Sequence, residues 1–174
     1  KALSAMRVTG KKPFKLQKFP TNSTDGLDDK QLARTLLEEN TQAISELQYK
    51  LYAEAKTALL IVFQALDTGG KDGVIRKVLG PLNPQGVRVS SFKRPTADEL
   101  AHDYLWRIHK ETPARGMIGV FNRSHYEDVL LNRVHTLIPD KPLAPRYKQL
   151  AAFAKPLSET DTAILQFYLH LRKA

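Results

Sequence analysis

Cysteine is absent from the 174 residues, which excludes disulfides, thiolate metal sites and a thiol nucleophile. No stretch approaches the ~20 consecutive apolar residues of a membrane-spanning helix. Nor is there a positively charged start followed by the apolar core of a secretory leader. A cytoplasmic location without a membrane partner is therefore expected. No Gly-x-Ser-x-Gly elbow appears, and none of the five histidines sits in a His-Glu-x-x-His pattern. His125, Glu127 and Asp128 lie close enough to suggest a metal cluster, and His102 with Asp103 suggests acid–base work. Without a second His or Cys at fixed spacing, His102, His109 and His135 read as structural. The single tryptophan, Trp106, lies at helical spacing near Tyr104 and Ile108 and reads as core, not as a platform for a base.

Acidic residues are missing from the first twenty positions, which carry Lys1, Arg7, Lys11, Lys12, Lys15 and Lys18. Those six cations leave only +3 of the +9 net charge for the rest of the chain. Such an arm either binds a polyanion or is a solvated tail. A basic face interleaved with aromatics is not visible, so nucleic acid is not expected as the polyanion. The length fits one domain with a single substantial core. Residues 1–30 read as a basic extended arm and 31–174 as the folded α/β domain.

That domain is organised around Leu59 to Gly73, LLIVFQALDTGGKDG. The apolar run Leu59–Phe63 predicts a strand buried on both faces. Asp67, Thr68, Gly69, Gly70, Lys71, Asp72 and Gly73 follow, then a helix-like run from Val74 to Leu79. Strand, glycine-rich turn, lysine and helix form a phosphate cradle: main-chain N–H groups and a helix N-terminus face the anion, and the lysine reaches its outer phosphates. The match to the Walker A pattern is partial. Ala65 stands where the first glycine belongs and Asp72 replaces the Ser/Thr that would bind Mg²⁺. Asp67 is the hard oxygen ligand that could take over.

Along the chain, Asp28 or Asp29 is positioned to cap a helix from about Gln31 to Tyr52, with Leu32, Leu36, Ile44, Leu47 and Leu51 as its stripe. A second strand is expected over Val87–Phe92. One helix should then start after Thr96, with Leu100, Tyr104, Leu105 and Ile108 on one face. A third strand is expected over Met117–Phe121 and a helical run around Val129–Val134. Another helix should begin near Arg146 and end or kink at Pro156. A fourth strand is expected over Ala163–Leu169. Strands alternating with helices predict a parallel sheet with helices on both faces. Ligands bind beyond the carboxyl ends of such strands, which aligns 67–73, 91–94 and 122–128 along one rim. Cations beside carboxylates on that rim are the parts phosphoryl transfer uses.

QALDTGGKDG, NPQGVRVSSFKRPT, HDYLWRIHK and IGVFNRSHYEDVLLNRVH, in that order, resemble the polyphosphate kinase 2 family, from about Leu47 to Leu169. The resemblance implies a P-loop kinase-like, thymidylate kinase-like α/β fold. It also implies phosphoryl transfer between inorganic polyphosphate and an adenine or guanine nucleotide, with Mg²⁺ (or Mn²⁺) as cofactor. By position, Asp67 and Asp128 would hold the metal, Lys71 would grip the transferring phosphates and Arg123 would contact phosphate. Thr68, Gly69, Gly70, Asp72 and Gly73 would cradle phosphate, and Asn122 and Glu127 would contact nucleotide or metal-bound water. Arg76, Lys77, Lys93, Arg94 and Arg133 would line the polyphosphate path. FNRSHYED is similar to the form found in members that phosphorylate AMP, or both AMP and ADP. The resemblance further implies a homo-oligomer, dimer or tetramer, and an arginine-bearing lid beyond the fourth strand, outside this sequence. Two rival functions are an ATP-dependent nucleotide or nucleoside kinase of the P-loop class and a non-catalytic basic module that binds polyanions.

Overall fold

A computed structural model describes residues 6–8, 14–24, 26–65, 69–127 and 140–171, with only the backbone for 140–144. Its long first helix, α1, spans Lys30–Glu54. Asp29 caps it as expected, its Oδ1 accepting from the Gln31 and Leu32 amides at 2.7 and 3.3 Å. Strand β1 spans Ala58–Ala65, β2 Val87–Ser91, β3 Ile118–Asn122 and β4 Thr162–Leu169. All pairings are parallel, in the order β2-β3-β1-β4.

The pleat of β1 sorts the core into two layers. Ile61 and Phe63 join Ile118 and Val120 beneath Ile75, Leu79 and Leu82, with Ile44 and Leu51 of α1 packed against them. Leu60 and Val62 face the other way, onto Phe92, Ile108, Phe121 and Phe153. Burial of each such side chain contributes about 2 kcal/mol, and both layers depend on β1.

Three expectations about the helices change. The run after the phosphate loop starts at Lys71, as α2 (Lys71–Val74), and continues as a π-helix over Ile75–Leu79. The helix expected after Thr96 is two pieces, α3 (Ala97–Leu100) and α4 (Trp106–Lys110). Asp103 separates them, since its Oδ1 accepts from the Leu105 amide at 2.9 Å and its carbonyl from Trp106 at 3.0 Å, which restarts the chain as a new turn. The last helix, α5, spans Asp140–Glu159 with Pro145 and Pro156 inside it, so it begins well before Arg146 and does not end at Pro156. Pro142 lies in its first turn, where amides have no intrahelical partner, so a proline there loses no bond. Beyond Pro156 the Ser158 hydroxyl donates to the Ala154 and Lys155 carbonyls, and the Thr160 hydroxyl to that of Pro156. The helical run expected around Val129–Val134 lies outside the described residues.

Candidate functional site

Strand order fixes where a site can form. From β1 the chain crosses to β2 on one side of β3, and after β3 it crosses to β4 on the far side of β1. Connections diverging from neighbouring strand ends leave a crevice at the β1/β3 carboxyl edge. On the β1 side lie Gly69 and Gly70, and on the β3 side Asn122 to Glu127.

Gly70 has φ +80°, a left-handed conformation that favours glycine, and it caps α2. A Cβ at Gly70 or Gly73 would meet no atom within 4 Å, so the backbone here faces open space. Gly69 is buried. Lys71 is only 7% exposed, and its ammonium donates to the Ala65 carbonyl at the end of β1 at 3.3 Å. The loop and the β3 segment touch directly, because the Asn122 amide donates to the exposed Asp72 carboxylate.

Two strands, β1 and β4, hold the segment after β3. The Arg123 amide donates to Phe63 O of β1 at 3.2 Å, with Arg123 itself at φ +65°. A non-glycine residue in that region stores backbone strain, a feature concentrated at functional sites. Ser124 donates to Gln64 Oε1 at 3.4 Å, and Gln64 Nε2 donates to Glu127 Oε1 at 2.6 Å. Gln166 of β4 donates to the Tyr126 hydroxyl at 3.0 Å, while burial pushes the Tyr126 phenol up from its ordinary value. His125 lies beneath, 3% exposed, with its ring against Tyr126 and Phe153. Desolvation, and then the nearby His109, lower its pKa to about 4, so it is neutral at pH 7.

Of the predicted site residues, the structure brings Gly69, Gly70, Lys71, Asp72, Gly73, Asn122, Arg123 and Glu127 to one rim. Arg76 and Lys77 are exposed on the π-helix. Lys93 and Arg94, also exposed, line a cavity of about 400 Å³ beside β2, together with Arg88, Trp106, Arg107 and Lys110. Glu111 pairs with Arg88 at 2.8 Å and Glu99 with Arg107 at 3.5 Å. Among the described residues Lys93 and Arg94 have no acidic partner, so the cavity is net basic. Its tryptophan, expected in the core, is instead half-buried at the cavity wall, with His102 stacked on the ring at 3.9 Å and Lys110 over it at 4.1 Å. Asp67, Thr68, Asp128 and Arg133 lie outside the described residues. The described carboxylates on the rim, Asp72 and Glu127, are hard oxygen donors, which fit Mg²⁺ or Mn²⁺ better than a softer metal.

Gln64 went unnoticed in the sequence because it follows an apolar run. A polar residue beside five apolar ones, three positions before Asp67, is its only signal.

The family model described as polyphosphate kinase 2 matches residues 26–174. The chain is 45% identical over 161 residues to the AMP/ADP-polyphosphate phosphotransferase of Meiothermus ruber, covering 92% of this chain and 60% of that protein. It is 44% identical to the ADP-polyphosphate phosphotransferase of Rhodopseudomonas palustris, with 91% and 59% covered. The crystal structure of polyphosphate kinase 2 from Arthrobacter aurescens superposes with a TM-score of 0.92 at 40% identity, over 98% of this chain and 61% of that one. The chain thus spans about three fifths of the length of these relatives.

Proposed function

Because the chain belongs to the polyphosphate kinase 2 family, we propose that it moves a phosphoryl group between inorganic polyphosphate and a nucleoside mono- or diphosphate, AMP or ADP to ADP or ATP. The observation that carries this reading is the Asp72–Asn122 contact. It joins the phosphate loop after β1 to the segment after β3, so a phosphate gripped by one is within reach of groups on the other.

In this reading an acceptor phosphate oxygen attacks the terminal phosphorus of the polyphosphate. The bridging P–O bond breaks, and the shortened chain leaves with the electron pair. Lys71 and the loop amides hold the transferring phosphates, and Arg123 neutralises charge that develops on them. Asn122 and Glu127 orient the nucleotide or metal-bound water. Asp67 and Asp128 would hold Mg²⁺ (or Mn²⁺), which when bound supplies positive charge opposite the phosphate oxygens. Lys93, Arg94, Arg76, Lys77 and Arg133 steer the anionic chain. Both AMP and ADP are expected as acceptors, in keeping with the name of the Meiothermus relative. A cytoplasmic location belongs to the same reading, since nucleotides are the substrates, and no helix among the described residues is long and apolar enough to cross a membrane. So does a homo-oligomer, dimer or tetramer, with Leu165, Phe167 and Tyr168 of β4 as exposed apolar surface.

The test is ATP formation from ADP plus polyphosphate, read by luminescence, with AMP in parallel. Lys71→Ala should lower kcat by about a hundredfold or more. Phosphorylation of the nucleotide from ATP but not from polyphosphate would move the assignment to an ordinary P-loop nucleotide kinase. Polyphosphate binding without turnover, unaltered by Asp67→Asn, would reduce the chain to a polyanion-binding module.

A further inference from the structure

The geometry points to Gln64 as the positioning residue that sets the carboxylate of Glu127 against the nucleotide. This rests on the reading of Glu127 given above. Gln64 is the second-last residue of β1, 9% exposed, on the same pleat face as Leu60 and Val62. Its Nε2 donates to Glu127 Oε1 at 2.6 Å while its Oε1 accepts from Ser124 Oγ at 3.4 Å. Ser124, 1% exposed, accepts in turn from the Tyr126 amide at 3.3 Å. The Glu127 amide closes the turn on the Ser124 carbonyl at 3.0 Å.

The side chain at position 64 must therefore donate to a carboxylate and accept from a hydroxyl at once. Among side chains of this length only an amide does both. A leucine could do neither, and an ionised glutamate would set two like charges in contact. A hydrogen bond to a charged acceptor is about twice as strong as a neutral one and fixes its direction. With Oε1 so held, Oε2 is the carboxylate oxygen with no partner among the described residues, and it is the one available to substrate or to metal-bound water. The arrangement also has a mechanical consequence. The same strand that ends in the phosphate loop carries, one residue before its end, the group that orients the acid of the β3 segment. Phosphate grip and nucleotide placement are thus registered by a single strand.

The experiment is a double-mutant cycle on the full chain, with polyphosphate and nucleotide varied separately. Gln64→Leu should raise the nucleotide KM or lower kcat by about tenfold, the loss of one charge-assisted hydrogen bond. The polyphosphate KM should stay within about twofold of wild type, because the loop amides and Lys71 are untouched. In a Glu127→Gln background, Gln64→Leu should add little, since the carboxylate it orients is gone. Ser124→Ala, a milder change, should shift the nucleotide term in the same direction by a few-fold, which keeps the test decisive if Gln64→Leu does not fold. Equal losses for both substrates, or fully additive losses in the double mutant, would overturn the proposal. If Glu127→Gln impairs turnover and neither Gln64→Leu nor Ser124→Ala does, Gln64 has no such role, while the phosphotransfer reading stands. A Glu127→Gln variant with wild-type nucleotide kinetics would overturn the role of Glu127 and the proposal together.

Discussion

His125 couples the core beneath the rim to pH. Its ring is enclosed by Tyr126 and Phe153, with His109 of α4 in edge contact with the same phenylalanine. Its Nδ1 has no hydrogen-bond partner among the described residues. In the unfolded chain this imidazole takes its proton near pH 6.5, whereas in the folded chain it does so only near pH 4. Because the folded pKa is the lower, the neutral ring's contribution is complete above pH 6.5. It is lost as the pH falls from 6.5 towards 4, where the unfolded state binds the extra proton. The full effect is about 3 kcal/mol. Urea midpoints should therefore drop over that window, and His125→Phe should flatten the part of the slope between pH 6.5 and 4. A slope unchanged by that substitution would assign the acid sensitivity to carboxylates elsewhere. Nothing in the sequence marked this burial. Next to Glu127 and Asp128, His125 looked like part of a metal cluster, because residues 122–127 form a tight turn without the period that reveals an inward face.

At the scale of elements, α1 is joined to the turn before β2 by polar contacts as well as by Ile44 and Leu51. Gln48, 3% exposed, donates to the Asn83 carbonyl at 3.2 Å and accepts from its amide at 3.2 Å. A Cβ at Gly86 would lie 2.0 Å from Gln48 Nε2, so the glycine makes room for that amide. Gln48→Leu strands two backbone groups and should destabilise by about 2–3 kcal/mol. Gly86→Ala should do so by about 1–3 kcal/mol through overpacking. Thermal melts of the two single variants and the double read both, and the double should fall short of their sum, since each breaks the same contact. The strands and α1 were legible in the sequence because β1 is apolar on both faces and α1 has an Asp cap with Ile44 and Leu51 at helical spacing, although Leu32 and Leu47 of the expected stripe are exposed and only Ile44 and Leu51 pack on the core. The join between α3 and α4 was not, because Leu100, Tyr104, Leu105 and Ile108 keep helical spacing across an Asp103 turn. Nor was the early start of α5, where Pro142 in the first turn and Pro145 in the second make the sequence look like a loop. At the site, the glycines and Lys71 announced the phosphate loop through composition. Gln64 and Ser124 act through pairwise hydrogen bonds, which composition does not encode.

For the whole molecule, charge divides into two populations that salt should separate. Lys71 is nearly enclosed, whereas Arg76, Lys77, Lys93 and Arg94 are exposed, and residues 1–20 add six further cations without an acid. Attraction between exposed charges is screened over about 10 Å at 0.1 M salt and about 3 Å at 1 M, while enclosed groups are screened much less. Polyphosphate is a polyanion, so capture should depend on the exposed population and chemistry on the enclosed one. Raising salt from about 0.05 M to about 0.5 M should increase the polyphosphate KM by about tenfold or more and leave kcat within about twofold. Removing residues 1–20 takes away six of the nine net charges and should reduce the slope of log KM against log salt without changing kcat. Lys93→Ala with Arg94→Ala should reduce it further, because those two cations line the basic cavity beside β2. Steady-state kinetics at four or so salt concentrations reads all three chains. A kcat that falls with salt as steeply as KM rises would mean that the transferring phosphates are held by solvent-exposed cations instead of Lys71 and the loop.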